Sequence, residues 1–347
     1  MINHIYQYDE STALLIDQVP KLSLEKYRLG PNGLVAEINP LVFSHYSFLL
    51  GSNLKSFGSD LSLYLATIER FFSSAGVVGQ ITVYNSTEDY KRRISEDLGV
   101  GLSTYIMLEM TKGSITTIAQ IPKNKNISQL TPDFQGYSAN NSLFIYEAKG
   151  TTVLSSIAKQ VARARKQVKS YPLATKSKFL CVTYLAGQDD LSTSHTIIAD
   201  PAADASFILE IKLSRLLHLY HVLSFIGLPK SAKVFLSIVA ILAFPKKNID
   251  ISWRHRVDDR EARLNFISTL NKEIGDMGDG ISFDGTWYSR TFNNKTISVI
   301  LSIHGTIIDS LRKDIIYIYE NPMDIDVGVR ESESIFYDGT RLSVKFQ

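Results

Sequence analysis

The sequence predicts an α/β protein with a mixed central sheet flanked by helices. An α/β extension precedes this core, and a helical and then a β-rich region follow it. Three observations predict this. Residues 86–201 read in the order helix, strand, hairpin, helix, strand. The run Phe179-Leu180-Cys181-Val182 is continuously apolar, as a strand buried on both faces requires. Residues 249–347 alternate short β-prone runs with Asp-Gly turn signals.

Length and composition bound the rest. A chain of 347 residues suffices for two or three domains with a sizeable core. With 44% hydrophobic and 21% charged residues the composition is that of an ordinary globular protein. A formal net charge of +2 excludes a polycation, so any nucleic-acid affinity must come from local patches. The single cysteine, Cys181, excludes an internal disulfide framework, fits a reducing compartment and reads as a buried small hydrophobe. The first twenty residues carry acids early and lack the basic and apolar regions of a signal peptide. The most apolar stretch, residues 234–244, is about half the roughly 20 residues a membrane span needs and reads as a buried helix. The expectation is a cytoplasmic protein with no membrane association. No GxxxxGK[ST] loop occurs, so an ATPase motor would have to be a separate partner.

In chain order, residues 1–85 form the α/β extension. Gly33–Ile38 reads as a strand, a helix capped by Ser59-Asp60 buries Leu61, Leu65 and Ile68, and Gly79–Tyr84 reads as a second strand. Residues 86–201 are the core. A helix covers Thr87–Met110, with Gly99 and Gly101 allowing close approach to the sheet or a phosphate, and a strand covers Ile115–Ile121. Pro132-Asp133 opens the next strand, and Ser138-Ala139-Asn140-Asn141-Ser142 has the chemistry of a tight turn. Leu143–Tyr146 runs into Glu147-Ala148-Lys149 and is ended by Gly150. In the helix Ser155–Ser170, Ile157, Val161, Ala164 and Val168 repeat at helical spacing and face the sheet. Its cations, among them Lys159, Arg163 and Lys166, suit a phosphate backbone or a solvated face. Strands Ser177–Tyr184 and His195–Pro201 follow. Residues 202–248 are apolar and helical; His218 and His221, three apart, read as core or boundary histidines. Residues 249–347 hold a charged helix, Asp258–Ile274, and a β-rich tail with near-copies Phe283-Asp284-Gly285-Thr286 and Tyr337-Asp338-Gly339-Thr340. Trp253, Trp287, Tyr288 and Tyr337 read as core residues, with base stacking the other use for such rings.

The hairpin carries the chemistry. With its turn centred near Asn140, Asp133 lies opposite Glu147, and directly paired residues hold their Cβ atoms roughly 4.5–5.5 Å apart. Two carboxylates that close repel unless a positive charge stands between them. Glu147 and Lys149, two apart in a strand, share a face. Asp, Glu and Lys on one small surface suit a divalent cation and a polarised water, which is a phosphodiester-cleaving constellation.

Pro132-Asp133 followed by Glu147-Ala148-Lys149 resembles the PD-(D/E)xK nuclease superfamily and its restriction-endonuclease-like fold, over roughly residues 90–200. The resemblance implies Mg²⁺ or Mn²⁺ held by Asp133, Glu147 and the carbonyl of Ala148, with Lys149, in a surface cleft, orienting the attacking water or neutralising the phosphate. It also implies one more acid from the preceding helix: Glu96 first, then Asp97, then Glu109. Gln167-Val168-Lys169-Ser170-Tyr171 matches the QhxxY pattern of RecB-like and lambda-exonuclease-like members. Gln160, nearer Lys149, and Gln167 are the two candidates for bonding a phosphate or a water, with Gln160 preferred. Lys159, Arg163, Lys166 and Gln167 would line the nucleic acid. The implied activity is a metal-dependent nuclease acting on DNA, in restriction or anti-phage defence, as a homodimer or with a separate ATPase. A cleavage-inactive nucleic-acid-binding module and a structural subunit are the alternatives.

Overall fold

A computed structural model describes residues 2–8, 34–37, 40–51, 88–121, 132–170, 177–186, 194–199, 211–234, 260–276, 280–293, 295, 297–313, 328–330, 332–336 and 338–346. The expected helix after Ser59-Asp60, the strand Gly79–Tyr84, the apolar stretch beyond residue 234, and Tyr171, Trp253 and Tyr337 lie outside them. Residues 1–114 with 120–208 make one compact unit, and 115–119 with 209–347 make another.

The first unit is built on a seven-stranded mixed sheet, in the order β2-β1-β7-β6-β5-β4-β3. Its strands are β1 (Ile2–Tyr8), β2 (Leu34–Glu37), β3 (Ala119–Gln120), β4 (Phe134–Tyr137), β5 (Leu143–Thr151), β6 (Ser177–Tyr184) and β7 (His195–Ala199). β4 runs antiparallel to β5, β5 parallel to β6, and β6 antiparallel to β7. β1, from the stretch read as an extension, adds parallel to β7. The parallel β5–β6 pair requires a crossover, and helix α3 (Ile157–Ser170) supplies it. Thr151 sets its start: Val153 N–H donates to Thr151 Oγ1 (3.1 Å), and the Thr151 and Ser156 hydroxyls bond at 2.8 Å.

The two faces of β5 meet different helices. Ile157, Val161, Ala164 and Val168 of α3 pack on Leu180, Val182 and Tyr184 of β6, as their spacing predicts. Those β6 residues are in register with Glu147, Lys149 and Thr151, so α3 covers the Glu147–Lys149 face. Tyr146, Ala148 and Gly150 point the other way, toward α2 (Glu88–Thr111). There the Tyr146 and Thr104 hydroxyls bond at 2.8 Å, and Phe134 stacks on Tyr146 with centroids 5.3 Å apart. Glycine brings α2 onto the strand: a Cβ at Gly99 would lie 2.7 Å from Gly150 Cα. Gly101 plays the same part toward α1 (Pro40–Leu50), where a Cβ would meet the Phe43 carbonyl at 2.6 Å. α2 ends with Lys112 in the left-handed region (φ 50°) and the Gly113 N–H returning to Leu108 O at 3.2 Å. Cys181 is fully buried, and burial pushes its thiol up to about 12, as befits a core residue.

The second unit holds α4 (Ile211–Phe225), α5 (Arg260–Asp276), α6 (Gly305–Lys313) and a six-stranded antiparallel sheet. Its strands are β8 (Ile281–Phe283), β9 (Trp287–Asn293), β10 (Ile297–His304), β11 (Gly328–Val329), β12 (Glu333–Ile335) and β13 (Thr340–Phe346), in the order β11-β12-β13-β10-β9-β8. Both Asp-Gly sequences are hairpin turns, with Gly285 at φ 96° and Gly339 at φ 78°, where a side chain would be strained. They flank one junction: His304 N–H donates to Gly339 O (2.8 Å) and Gly305 N–H to Thr286 O (2.7 Å). Trp287 and Tyr288, read as core, are half-buried.

His218 and His221 are fully buried core histidines, as read. His218 Nε2 lies 2.8 Å from Asp338 Oδ2, and Nδ1 lies 2.7 Å from the Ile118 carbonyl. A carbonyl only accepts, so Nδ1 carries the proton there. The continuous strand expected over Ile115–Ile121 is corrected: Ile115–Thr117 is a 3-10 turn and only Ala119–Gln120 is strand. Ile115 and Ile118, three apart as a 3-10 turn requires, are both buried, and the Ile118 carbonyl is taken by a histidine 100 residues away. Among the described residues no helix is long and apolar enough to cross a membrane.

Candidate active site

The hairpin turns where its residues demand. Asn141 takes the left-handed conformation (φ 56°), Ser138 N–H donates to Ser142 O (2.9 Å), and Ser142 N–H donates to Ser138 Oγ (3.1 Å). The resulting register pairs Phe134 with Tyr146 and Gln135 with Ile145. One step further along it, Asp133 stands opposite Glu147. Asp133 Oδ2 accepts the Ala148 N–H at 3.3 Å, which fixes the carboxylate against β5. Lys149 Nζ contacts Glu147 Oε1 and lies 3.6 Å from Asp133 Oδ2. Asp133, Glu147 and Lys149 therefore form one cluster on the α3 face.

The cluster is deeper than a surface cleft. The Glu147 side chain is 0% exposed, that of Asp133 12% and that of Lys149 20%. Burial and the facing Asp133 carboxylate raise Glu147 to about 8, only partly offset by the Lys149 ammonium. Burial acts to lower Lys149, but Asp133 and Glu147 outweigh it and hold the ammonium above its ordinary value. Near neutral pH Glu147 is therefore held largely protonated beside the Lys149 ammonium.

This has a measurable consequence. Glu147 binds a proton in the folded chain at pH values where the unfolded chain, near 4.5, has released it. Its contribution to stability is full below about 4.5 and is lost as pH rises toward 8. Urea-unfolding free energies of the wild type in EDTA should fall relative to Glu147→Gln across that window, by at most about 1.4 kcal/mol per pH unit. Parallel pH profiles for the two proteins would contradict the burial described here.

The other candidates are distributed unevenly. On α3, Gln160, Arg163 and Gln167 occupy one flank; Gln160 is half-buried, Gln167 buried and Arg163 exposed. The Arg163 charge acts on Lys149 from the helix that covers its face. Lys159 and Lys166 stand opposite the buried stripe, on the outer side of the helix. Glu96 is not brought into the cluster. Its helix is held on the opposite face of β5 by the Gly99–Gly150 approach, and its half-exposed side chain lies 4.0 Å from Arg92. Asp97 is buried beside Gly51, and Glu109 is exposed and paired with Lys112 at 3.3 Å. Gln135 lies outside the motif that singles out its neighbours. It shares the face of Asp133 and Glu147 and is fully buried, and the signal was a second polar residue at period two beside Asp133.

Oxygen donors without His or Cys suit a hard cation, and Mg²⁺ is usually held by one or two carboxylates with waters and substrate phosphates completing its shell. Asp133 and Glu147, two carboxylates aimed at one point from paired strands, fit that requirement, and Ala148 lies between Glu147 and Lys149 in the chain. Among the described residues no group of three His, Cys, Asp or Glu side chains converges. Comparison with protein-family models, with curated proteins and with solved structures returned no match to this chain.

Proposed function

We propose that this chain is a metal-dependent nuclease that hydrolyses phosphodiester bonds, with DNA as its substrate. The observation that carries the reading is the convergence of Asp133, Glu147 and Lys149 on one face of a hairpin. Asp133 and Glu147 would hold Mg²⁺ or Mn²⁺, with the carbonyl of Ala148 as the third ligand of the resemblance. The ion would supply Lewis-acid charge at the phosphate and a nucleophile at neutral pH. Lys149 would donate a hydrogen bond to the attacking water or to a phosphate oxygen and offset the charge that develops there. Asp133, tied to the Ala148 N–H, needs no reorganisation to receive the ion. Gln160 and Arg163 would meet the strand on the α3 flank beside Lys149, and Gln167, buried, would support them. Lys159 and Lys166 would contribute at longer range, through the field of the helix. Glu96 enters only if a second ion or the bound strand draws it round from α2.

The test is a cleavage assay on supercoiled plasmid, linear duplex, single-stranded DNA and RNA, in Mg²⁺, Mn²⁺ or EDTA. The expected result is cleavage of DNA that depends on the metal and stops in EDTA. Cleavage that persists in EDTA, or binding of DNA without turnover in either metal, would defeat the reading; the second outcome would favour a binding module.

A further inference from the structure

The two carboxylates of the site already hold a cation of their own. Lys149 Nζ contacts Glu147 Oε1 and stands 3.6 Å from Asp133 Oδ2, with its side chain only 20% exposed. An ammonium hydrogen-bonds a carboxylate at about 2.8 Å, and Mg²⁺ binds one at about 2.0–2.1 Å. A divalent cation that used Glu147 Oε1 and Asp133 Oδ2 would need the oxygens the ammonium already occupies, so the two cations compete for one place. The way out for the lysine is also defined. Helix α3 covers the face on which Lys149 stands, and Arg163 is an exposed cation of that helix whose charge acts on Lys149, so an ammonium displaced to that side meets like charge. That position becomes favourable when an anion lies between the two cations.

We propose that Lys149 is a displaceable latch: a divalent cation enters the Asp133–Glu147 pair only in exchange for the Lys149 ammonium, which turns out toward Arg163 to grip a backbone phosphate of the nucleic acid. This rests on the nuclease reading and adds a regulatory consequence to it. Metal loading and strand binding become coupled, and by linkage each strengthens the other by the same factor. Without nucleic acid the lysine competes with the ion, which limits loading and idle chemistry.

The test is acylation of amines on the wild-type chain, read peptide by peptide by mass spectrometry. An ammonium held between two carboxylates reacts slowly, and one released to the flank reacts faster. Mg²⁺ is expected to raise labelling of Lys149 at least threefold over EDTA while leaving Lys159 and Lys166, on the outer side of α3, unchanged. Alongside it, calorimetry with Mn²⁺ alone should show Lys149→Met binding the ion at least tenfold more tightly than wild type. Metal binding to wild type with Lys149 labelling unchanged or reduced overturns the latch and leaves the nuclease reading standing. Equal or weaker Mn²⁺ binding by Lys149→Met does the same. Absence of Mn²⁺ binding in both proteins overturns the latch and the nuclease reading together.

Discussion

Glu147→Gln is expected to lower metal-dependent cleavage by three orders of magnitude or more while leaving the folded chain at least as stable as the wild type near pH 7. The two halves of this result have different causes. Each tenfold in rate is about 1.4 kcal/mol of lost transition-state stabilisation, so three orders ask about 4 kcal/mol of one carboxylate. That is reasonable for half of a two-carboxylate cation site, where removing even one fixed hydrogen-bond donor from a developing charge costs about 2.7–4 kcal/mol. The stability follows from charge balance. Glu147 is fully buried and held up to about 8, so near neutrality it resembles its own amide more than an ion. After the substitution, Asp133 and Lys149 remain as a neutral pair with Nζ and Oδ2 3.6 Å apart. Lys149→Met is a poorer probe of chemistry alone, because it leaves two carboxylates facing each other without their cation, and breaking a buried pair from one side costs several kcal/mol. The check is a cleavage time course with a urea midpoint on the same preparation. Wild-type cleavage by a folded Glu147→Gln would remove this hairpin from the reaction.

The same contrast shows how far single-sequence reasoning reaches. The hairpin and its register were legible because they are local: the Ser-Ala-Asn-Asn-Ser turn requires a left-handed residue, Asn141 supplies it, and period two then sets Asp133 across from Glu147. The apolar stripe of α3 was legible for the same reason. What lies opposite a residue was not legible. Lys149 reads as a cleft lysine, yet its side chain is four-fifths buried and spans both acids, because α3 covers the face on which it stands. Ile115–Ile121 reads as a strand from its β-prone residues, but its isoleucines recur every third residue, the Ile118 carbonyl is taken by His218, and the other ring nitrogen of His218 meets Asp338, 120 residues further on. Glu96 has suitable chemistry, and only the packing of α2 decides which side of β5 it approaches. Gly150 reads as the end of the strand. The strand runs on to Thr151, and the glycine is there for α2.

That glycine carries the largest expected effect on stability. A Cβ at Gly150 would overlap the carbonyl of Ser95 and sit 3.1 Å from the amide nitrogen of Glu96. Both neighbours are helix backbone, which cannot rotate away as a side chain can. Alanine ordinarily gains roughly 0.5–1 kcal/mol over glycine inside a strand. Here the overlap must be relieved by lifting α2 from β5 or by bending the strand, and overpacking a close-packed contact costs about 1–3 kcal/mol, occasionally more. With backbone on both sides, Gly150→Ala is expected to cost about 3 kcal/mol. Cleavage should fall with it, because Lys149 is the preceding residue and any bend at 150 moves its ammonium relative to Asp133 and Glu147. Gly275→Ala is the matched control: that glycine is in α5, nothing stands within 4 Å of an added Cβ, and the substitution should be neutral or stabilise by up to about 1 kcal/mol. Urea midpoints of the two variants beside wild type decide the matter. A Gly150→Ala protein as stable as Gly275→Ala would mean that α2 does not press on β5 at residue 150, and the reason given for Glu96 standing apart from the cluster would fall with that contact.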